Sequence, residues 1–180
     1  MKKILIAFML LCSVSAFAKE YTEVVEVPGK NADQLYSTAR EWFAETFKSA
    51  DDVLQMDDPV AGKLIGKGLV KVPIVSGKYS VATNMRFTIK VFVKDGRYKC
   101  DITNILIGGG EGATIDEYES ACGYEGVKIA LIKAGMPNAK DKMINKILAN
   151  NKVNFPRFPK EIEKIIESLK VKMKSVEDDW

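Results

Sequence analysis

No histidine occurs anywhere in the 180 residues, and that absence decides most of the chemistry open to this chain. Without an imidazole there is no Ser-His or Cys-His activation, no ordinary proton shuttle near neutral pH and almost no zinc or copper site. Catalysis would have to rest on carboxylates, lysine or tyrosine. Adjacent acids stand at Asp51-Asp52 and Asp57-Asp58, and paired carboxylates are what a glycoside hydrolase requires. Both pairs fall in expected turns, so no catalytic residues are assigned, and a histidine-free hydrolase acting on an envelope glycan is kept as the alternative function.

Two further motifs look chemical and are explained more simply. Gly108-Gly109-Gly110-Glu111-Gly112-Ala113 contains a G-x-G-x-x-A spacing, but a dinucleotide site needs it after the strand of a parallel βαβ unit. Here the preceding strand reads as half of an antiparallel hairpin, so the loop is expected to be a flexible crossing from sheet to helix. Asp116, Glu117 and Glu119, with Glu111, supply carboxylates, yet calcium needs oxygens converging from a sharply turned loop. Acids in the first turn of a helix are accounted for by the helix dipole. No metal and no cofactor is expected.

The cations carry more pattern. Lys63, Lys67 and Lys71 share one face of an extended segment; Arg86, Lys90 and Lys94 share a face of the next; Arg97 and Lys99 do so on the one after. If these faces coincide, they form a basic surface around Phe92, with Asp101 as an internal counter-charge. Lys67, Lys71, Arg86, Lys90, Phe92, Lys94 and Lys99 are then the candidate binding residues, suited to an anionic glycan, a lipid head group or an envelope protein. Lysines also blunt sheet edges and keep an open face soluble, so spacing alone leaves both uses open. Cys100 and Cys122 fall on apolar faces, which suits either buried thiols or one bridge; a bridge would stabilise by roughly 3 kcal/mol.

The elements that must position these residues follow from periodicity. Tyr21 to Val27 alternates and stops at Pro28-Gly29, a strand and a turn. Asn31 with Gln34 is a capping box, and Leu35, Ala39, Trp42, Phe43, Thr46 and Phe47 make an apolar helical stripe; Trp42 and Phe43 read as core. Val53 to Met56 is a short strand turned by Asp57-Asp58-Pro59, and Lys63 to Val72 a longer one. Ser80 to Val93 and Arg97 to Ile107 flank Asp95-Gly96, the strongest short hairpin signal. A two-residue turn pairs Phe92 with Lys99, Lys90 with Asp101 and Thr88 with Thr103, and on the other face Val93 with Tyr98, Val91 with Cys100 and Ile89 with Ile102.

Beyond Ile107 the pattern turns helical. Thr114 and Glu117 form a second capping box ahead of Ile115, Tyr118 and Cys122. Val127 to Ala134 is apolar and ends at Gly135 and Pro137. Asn138 is expected to cap a segment carrying Met143, Ile144, Ile147 and Leu148. Asn150 to Pro159 reads as a connector, and a last helix from Pro159 carries Ile162, Ile165, Ile166, Leu169, Met173 and Val176. That stripe is expected to cover the sheet, although such a face also suits a partner helix or a membrane surface.

Met1-Lys2-Lys3, the apolar run Ile4 to Leu11 and Ala16-Phe17-Ala18 make an export signal with cleavage after Ala18. Lipidation at Cys12 is not expected, because the residue before it is Leu11 where a small one is needed. The apolar run is shorter than the roughly 20 residues of a membrane span. Cleavage removes two of the 27 basic residues and none of the 24 acids, so the mature chain, residues 19–180, is nearly neutral, with a formal charge of +1. A nearly neutral chain is not globally built for nucleic acid. A periplasmic or secreted location is expected.

The stretch from Glu20 through the IGKG segment (65–68), with Leu35-Tyr36, Trp42-Phe43 and the KDGRY hairpin (94–98), resembles an exported bacterial family, domain of unknown function 4468, over about residues 20–107. The resemblance implies an α+β fold: a TBP-like β-α-β-β-β-β antiparallel sheet with helices on one face. It carries no catalytic or binding residues across. Residues 108–180 are expected to be a helical C-terminal region packing on the same domain.

Overall fold

The computed structural model describes residues 19–47 and 53–175. The expected export signal with Cys12, the Asp51-Asp52 pair and Val176 lie outside the described residues. The elements are β1 (Tyr21–Glu26), α1 (Ala32–Thr46), β2 (Leu54–Asp58), β3 (Lys63–Ser76), β4 (Tyr79–Lys94), β5 (Arg97–Ile107) and β6 (Ala113–Thr114). Four helices follow: α2 (Ile115–Ser120), α3 (Tyr124–Lys133), α4 (Asp141–Asn154) and α5 (Arg157–Lys174). The strands form one antiparallel sheet in the order β1-β5-β4-β3-β2. The outer edge of β5 is shared, β1 pairing Arg97 to Ile102 and β6 pairing Leu106 and Ile107.

The Asp95-Gly96 turn sets the register that its two-residue length dictates, with Phe92 opposite Lys99, Lys90 opposite Asp101 and Val91 opposite Cys100. Gly96 supplies the left-handed residue at φ 71°. Farther along, β5 advances from Thr103 to Leu106 while β4 moves only from Thr88 to Arg86. The extra residue is a β-bulge at Asn104, which takes φ 53°, a conformation asparagine tolerates better than most residues. Uninterrupted alternation would have turned Ile105 and Ile107 outward; the bulge returns both to the core, where they are buried beside Tyr98, Cys100 and Ile102.

Helices α1 and α5 cover that core face. The Asn31–Gln34 capping box starts α1 as expected, and Leu35, Ala39, Trp42 and Phe43 are buried. Thr46 is exposed, and Tyr36 and Thr38 are buried in its place. From α5 come Phe158, Ile162, Ile165, Leu169 and Met173. The two helices are joined by Trp42 Nε1 donating to Ser168 Oγ at 3.1 Å and by Lys172 bridging Glu41 and Glu45. Two glycines of β3 make this layer possible. A Cβ on Gly66 would lie 2.7 Å from the Phe43 ring, and one on Gly68 2.3 Å from the Phe87 ring. Burying two aromatic rings against bare backbone explains the IGKG segment.

The expected connector at Asn150–Pro159 is mostly helix. Helix α4 runs to Asn154 and α5 begins at Arg157, leaving two residues between them. Asparagine has low intrinsic helix propensity, and tertiary bonds override it here. Asn151 Nδ2 donates to Ala121 O at 2.9 Å, and the fully buried Asn154 amide both accepts from Val75 N and donates to Val75 O, each at 2.8 Å. Asn154 thus behaves as a one-residue strand on the edge of β3, next to Pro73, whose carbonyl accepts from Arg157. Pro159 sits in the first turn of α5, where proline is tolerated. Asn138 does not cap α4; Lys140 occupies that position without a side-chain bond. Helices α3 and α4 share a small second cluster of Ala121, Val127, Leu131 and Ile144, leaving Ile129 and Ile132 exposed.

The cysteines are not bridged. Cys100 lies buried in β5 between Glu23 and Val91, and Cys122 sits after α2 with its thiol directed at Tyr118 O, 3.6 Å away. Cys100 faces the layer under α1 and α5, whereas Cys122 follows Ala121 at the second cluster. Apolar faces therefore signified two separate packing sites.

Candidate open sheet face

Strand period two puts the residues between the core positions on the opposite face of the sheet. The cations converge there: Lys63, Lys67 and Lys71 from β3, Arg86, Lys90 and Lys94 from β4, and Arg97 and Lys99 from β5. The register also staggers them. Lys63 stands opposite Phe92, Lys67 opposite Thr88 and Lys71 opposite Asn84, while Lys90 and Arg86 stand opposite Ile65 and Leu69. Like charges on β3 and β4 are thus diagonal neighbours, about 7–8 Å apart, rather than direct cross-strand pairs. Lys94 and Arg97, beside the turn, are the exception and face each other directly.

Phe92 is the centre of this face. Lys63 Nζ and Lys99 Nζ lie 5.6 and 5.0 Å from its ring centroid, a cation–π arrangement that positions both ammonium groups. Asp101 is the expected internal counter-charge: its Oδ2 pairs with Lys99 at 2.6 Å and its Oδ1 accepts from Thr22 at 2.8 Å. Among the described residues, Lys63, Lys67, Lys71, Lys90, Lys94 and Arg97 make no ion pair. Val24, Phe92, Lys94, Arg97 and Lys99 line a hollow of about 430 Å³ to which no helix contributes.

The candidate set omits Lys63 and Arg97, although their spacing places them on this face, and two further contributors go unread in the sequence. Val24 is 58% exposed and stands opposite Lys99, and Thr22 orients Asp101. The alternation of β1 showed which residues share a face, but not that β1 would pair with β5. Arg86 serves partly as structure, since its Nη2 donates to Gly110 O at 2.6 Å.

The other motifs resolve into structural roles. The glycine-rich segment is a tied turn between β5 and β6, not a flexible crossing: Gly108 N donates to Asn84 O and Gly112 N to Gly109 O. Glu117 completes the second capping box and pairs with Lys133 at 3.0 Å; these contacts hold its carboxyl below the usual carboxylate range, the backbone N–H of Thr114 first. Among the described residues no group of acids, cysteines or histidines is arranged to hold a metal. Asp57 and Asp58 do not act together. Asp57 receives Tyr36 Oη and Arg40 Nε, which together lower its pKa, while Asp58 accepts from Ala61 N in the turn at 2.9 Å.

A helix-covered antiparallel sheet with its other face open defines the class: an α+β domain of TBP-like fold. Within it, residues 21–107 match the family model described as "Domain of unknown function (DUF4468) with TBP-like fold". Two crystal structures have similar folds. One, of a DUF4468 family protein from Bacteroides ovatus, aligns with a TM-score of 0.60 at 16% identity over 91% of this chain and 90% of that one. The other, of a TBP-like protein from Parabacteroides distasonis, aligns with a TM-score of 0.52 at 9% identity over 84% and 92%. No curated protein matches the chain. No described helix is long and apolar enough to cross a membrane.

Proposed function

We propose that this chain is exported, loses its first 18 residues, and serves in the cell envelope as a non-catalytic module whose open sheet face binds an anionic glycan. The observation that carries this reading is the staggered set of cations around Phe92, most without an acidic partner, on the face that α1 and α5 leave uncovered. A pyranose bearing carboxylate or sulfate groups has apolar C–H faces and charged substituents. The hollow offers both complements: Phe92 and Val24 as apolar floor, with Lys94, Arg97 and Lys99 at its sides. A lipid head group or an acidic protein would meet the same charges but would make less use of a recessed apolar floor. The alternative of a carboxylate-based hydrolase lacks support from Asp57 and Asp58, whose side chains enter different networks.

The test is binding of the mature chain to polygalacturonate, sulfated dextran, neutral dextran and phosphatidylglycerol vesicles. The proposal expects binding to the two anionic glycans only, and loss of that binding when Lys67, Lys71 and Lys94 are changed to Glu. Preference for the vesicles would assign the face to lipid instead, and turnover of any glycan would restore the enzyme.

A further inference from the structure

Lys19 is held by both of its nitrogens. Its main-chain nitrogen donates to Asp116 Oδ2 at 3.0 Å, and its Nζ to Glu119 Oε2 at 2.9 Å. The same Nζ lies 5.6 Å from the centre of the Phe155 ring. Asp116 and Glu119 are separated from Lys19 by 97 and 100 positions and belong to α2, so these contacts fasten the start of β1 to the far end of the sheet. Asp116 is half-buried and makes no ion pair with any other described residue.

Within an uncut chain the Lys19 nitrogen is an uncharged amide with one hydrogen, which gives the half-buried carboxylate a hydrogen bond but no opposite charge. Hydrolysis of the Ala18–Lys19 bond changes that atom. A signal peptidase adds one water across the bond, Ala18 departs with a carboxylate, and Lys19 is left with an α-ammonium carrying three hydrogens at neutral pH. The bond to the ionised carboxylate is charge-assisted before and after cleavage; what cleavage adds is the attraction between two opposite full charges.

We infer that Asp116 is the receptor for the amino terminus created by cleavage after Ala18, so that maturation itself adds an ion pair locking β1 onto α2. The inference rests on the cleavage position read from the sequence, not on the glycan reading. It also gives the acidic start of α2 a use: two carboxylates face two cations of one residue. The other charged or titratable groups near this point are the Tyr21 hydroxyl on β1 and Glu163 on α5, which lies near Tyr21. Asn104 and Thr114 beside the contact are neutral. The carboxylate favours the charged amine. The added stability is therefore present near neutral pH and is lost as pH rises above roughly 8, the ordinary range of an α-amine, and the ammonium loses its proton.

The test starts from the intact mass of the exported protein, expected to correspond to a chain beginning at Lys19. That chain is then compared with one carrying Gly-Ser ahead of Lys19, each with and without Asp116→Asn. At pH 7 the authentic chain is expected to melt about 2–4 °C above the extended one. The gap should narrow as pH rises above roughly 8, and it should be absent in the Asp116→Asn pair. A mass placing the cut elsewhere would remove the premise. Equal melting of the authentic and extended chains, or a gap that persists in Asp116→Asn, would overturn the capture itself.

Discussion

The two faces of β3, β4 and β5 are made from alternating residues of the same strands and obey opposite rules. On the face under α1 and α5, Leu64, Met85, Ile89, Val91 and Ile102 are fully buried, and glycine appears where an aromatic ring must touch the backbone. On the other face, cations alternate with threonine, asparagine and isolated apolar residues, and the only ion pair among the described residues is Lys99–Asp101. The contrast separates the positions that hold the molecule together from those of the proposed binding surface. Every core position is constrained by shape, whereas the open positions are constrained by charge and register. Because the period is two, a one-residue slip would exchange the faces, so the Asp95-Gly96 turn and the Asn104 bulge serve both.

The sharpest way to break this separation is to substitute on each face and measure folding. Phe158→Ala, which empties a fully buried site, should cost about 3–5 kcal/mol in urea unfolding. Gly68→Ala, whose new methyl would meet the Phe87 ring, should cost about 1–3 kcal/mol. Lys67→Ala, one residue away on the opposite face, should stay within about 0.5 kcal/mol. A large loss from Lys67→Ala would mean that the open face is structural after all.

Acid unfolding sharpens the comparison at the sheet's edge, where Asp57 points to α1 rather than to the open face. Tyr36 and Arg40 lower its pKa in the folded protein, so its stabilisation is present above roughly pH 4, the unfolded value, and is lost as pH falls through the lower folded one. The urea midpoint of the native chain should therefore drop more steeply below pH 4 than that of Asp57→Asn. The smallest expected effect is on the thiols. Burial pushes the Cys100 thiol up to about 12, so a disulfide reagent should leave it unmodified until the chain unfolds, and reductant should not shift the melting temperature.

Much of this separation is legible in the residues. Asp95-Gly96 dictates the pairing of β4 with β5, and from that pairing Lys90, Phe92 and Lys99 must share a face with Asp101. The Asn31 and Thr114 capping boxes are written locally and form as read. What is not legible depends on distant partners. A lone asparagine is a weak signal for a bulge, yet Asn104 sets the phase of the last third of β5. Asn150 to Asn154 reads as irregular because its helix depends on Ala121 and Val75. Val24 joins the open face only through the pairing of β1 with β5, and the Lys19–Asp116 contact spans 97 positions. A cysteine on an apolar face carries no record of where the other one lies.

The central claim is that the open face is a recognition surface for acidic sugars, and a salt titration tests it most directly. Affinity of the mature chain for polygalacturonate would be measured from low to high ionic strength beside the Lys67→Glu, Lys71→Glu, Lys94→Glu variant. Binding that weakens steadily as the Debye length shrinks from about 30 Å at 0.01 M to about 3 Å at 1 M, and that is absent in an equally stable variant, is the result predicted. Binding that ignores salt and survives the charge reversals would contradict the account and leave these lysines as a solubilising coat.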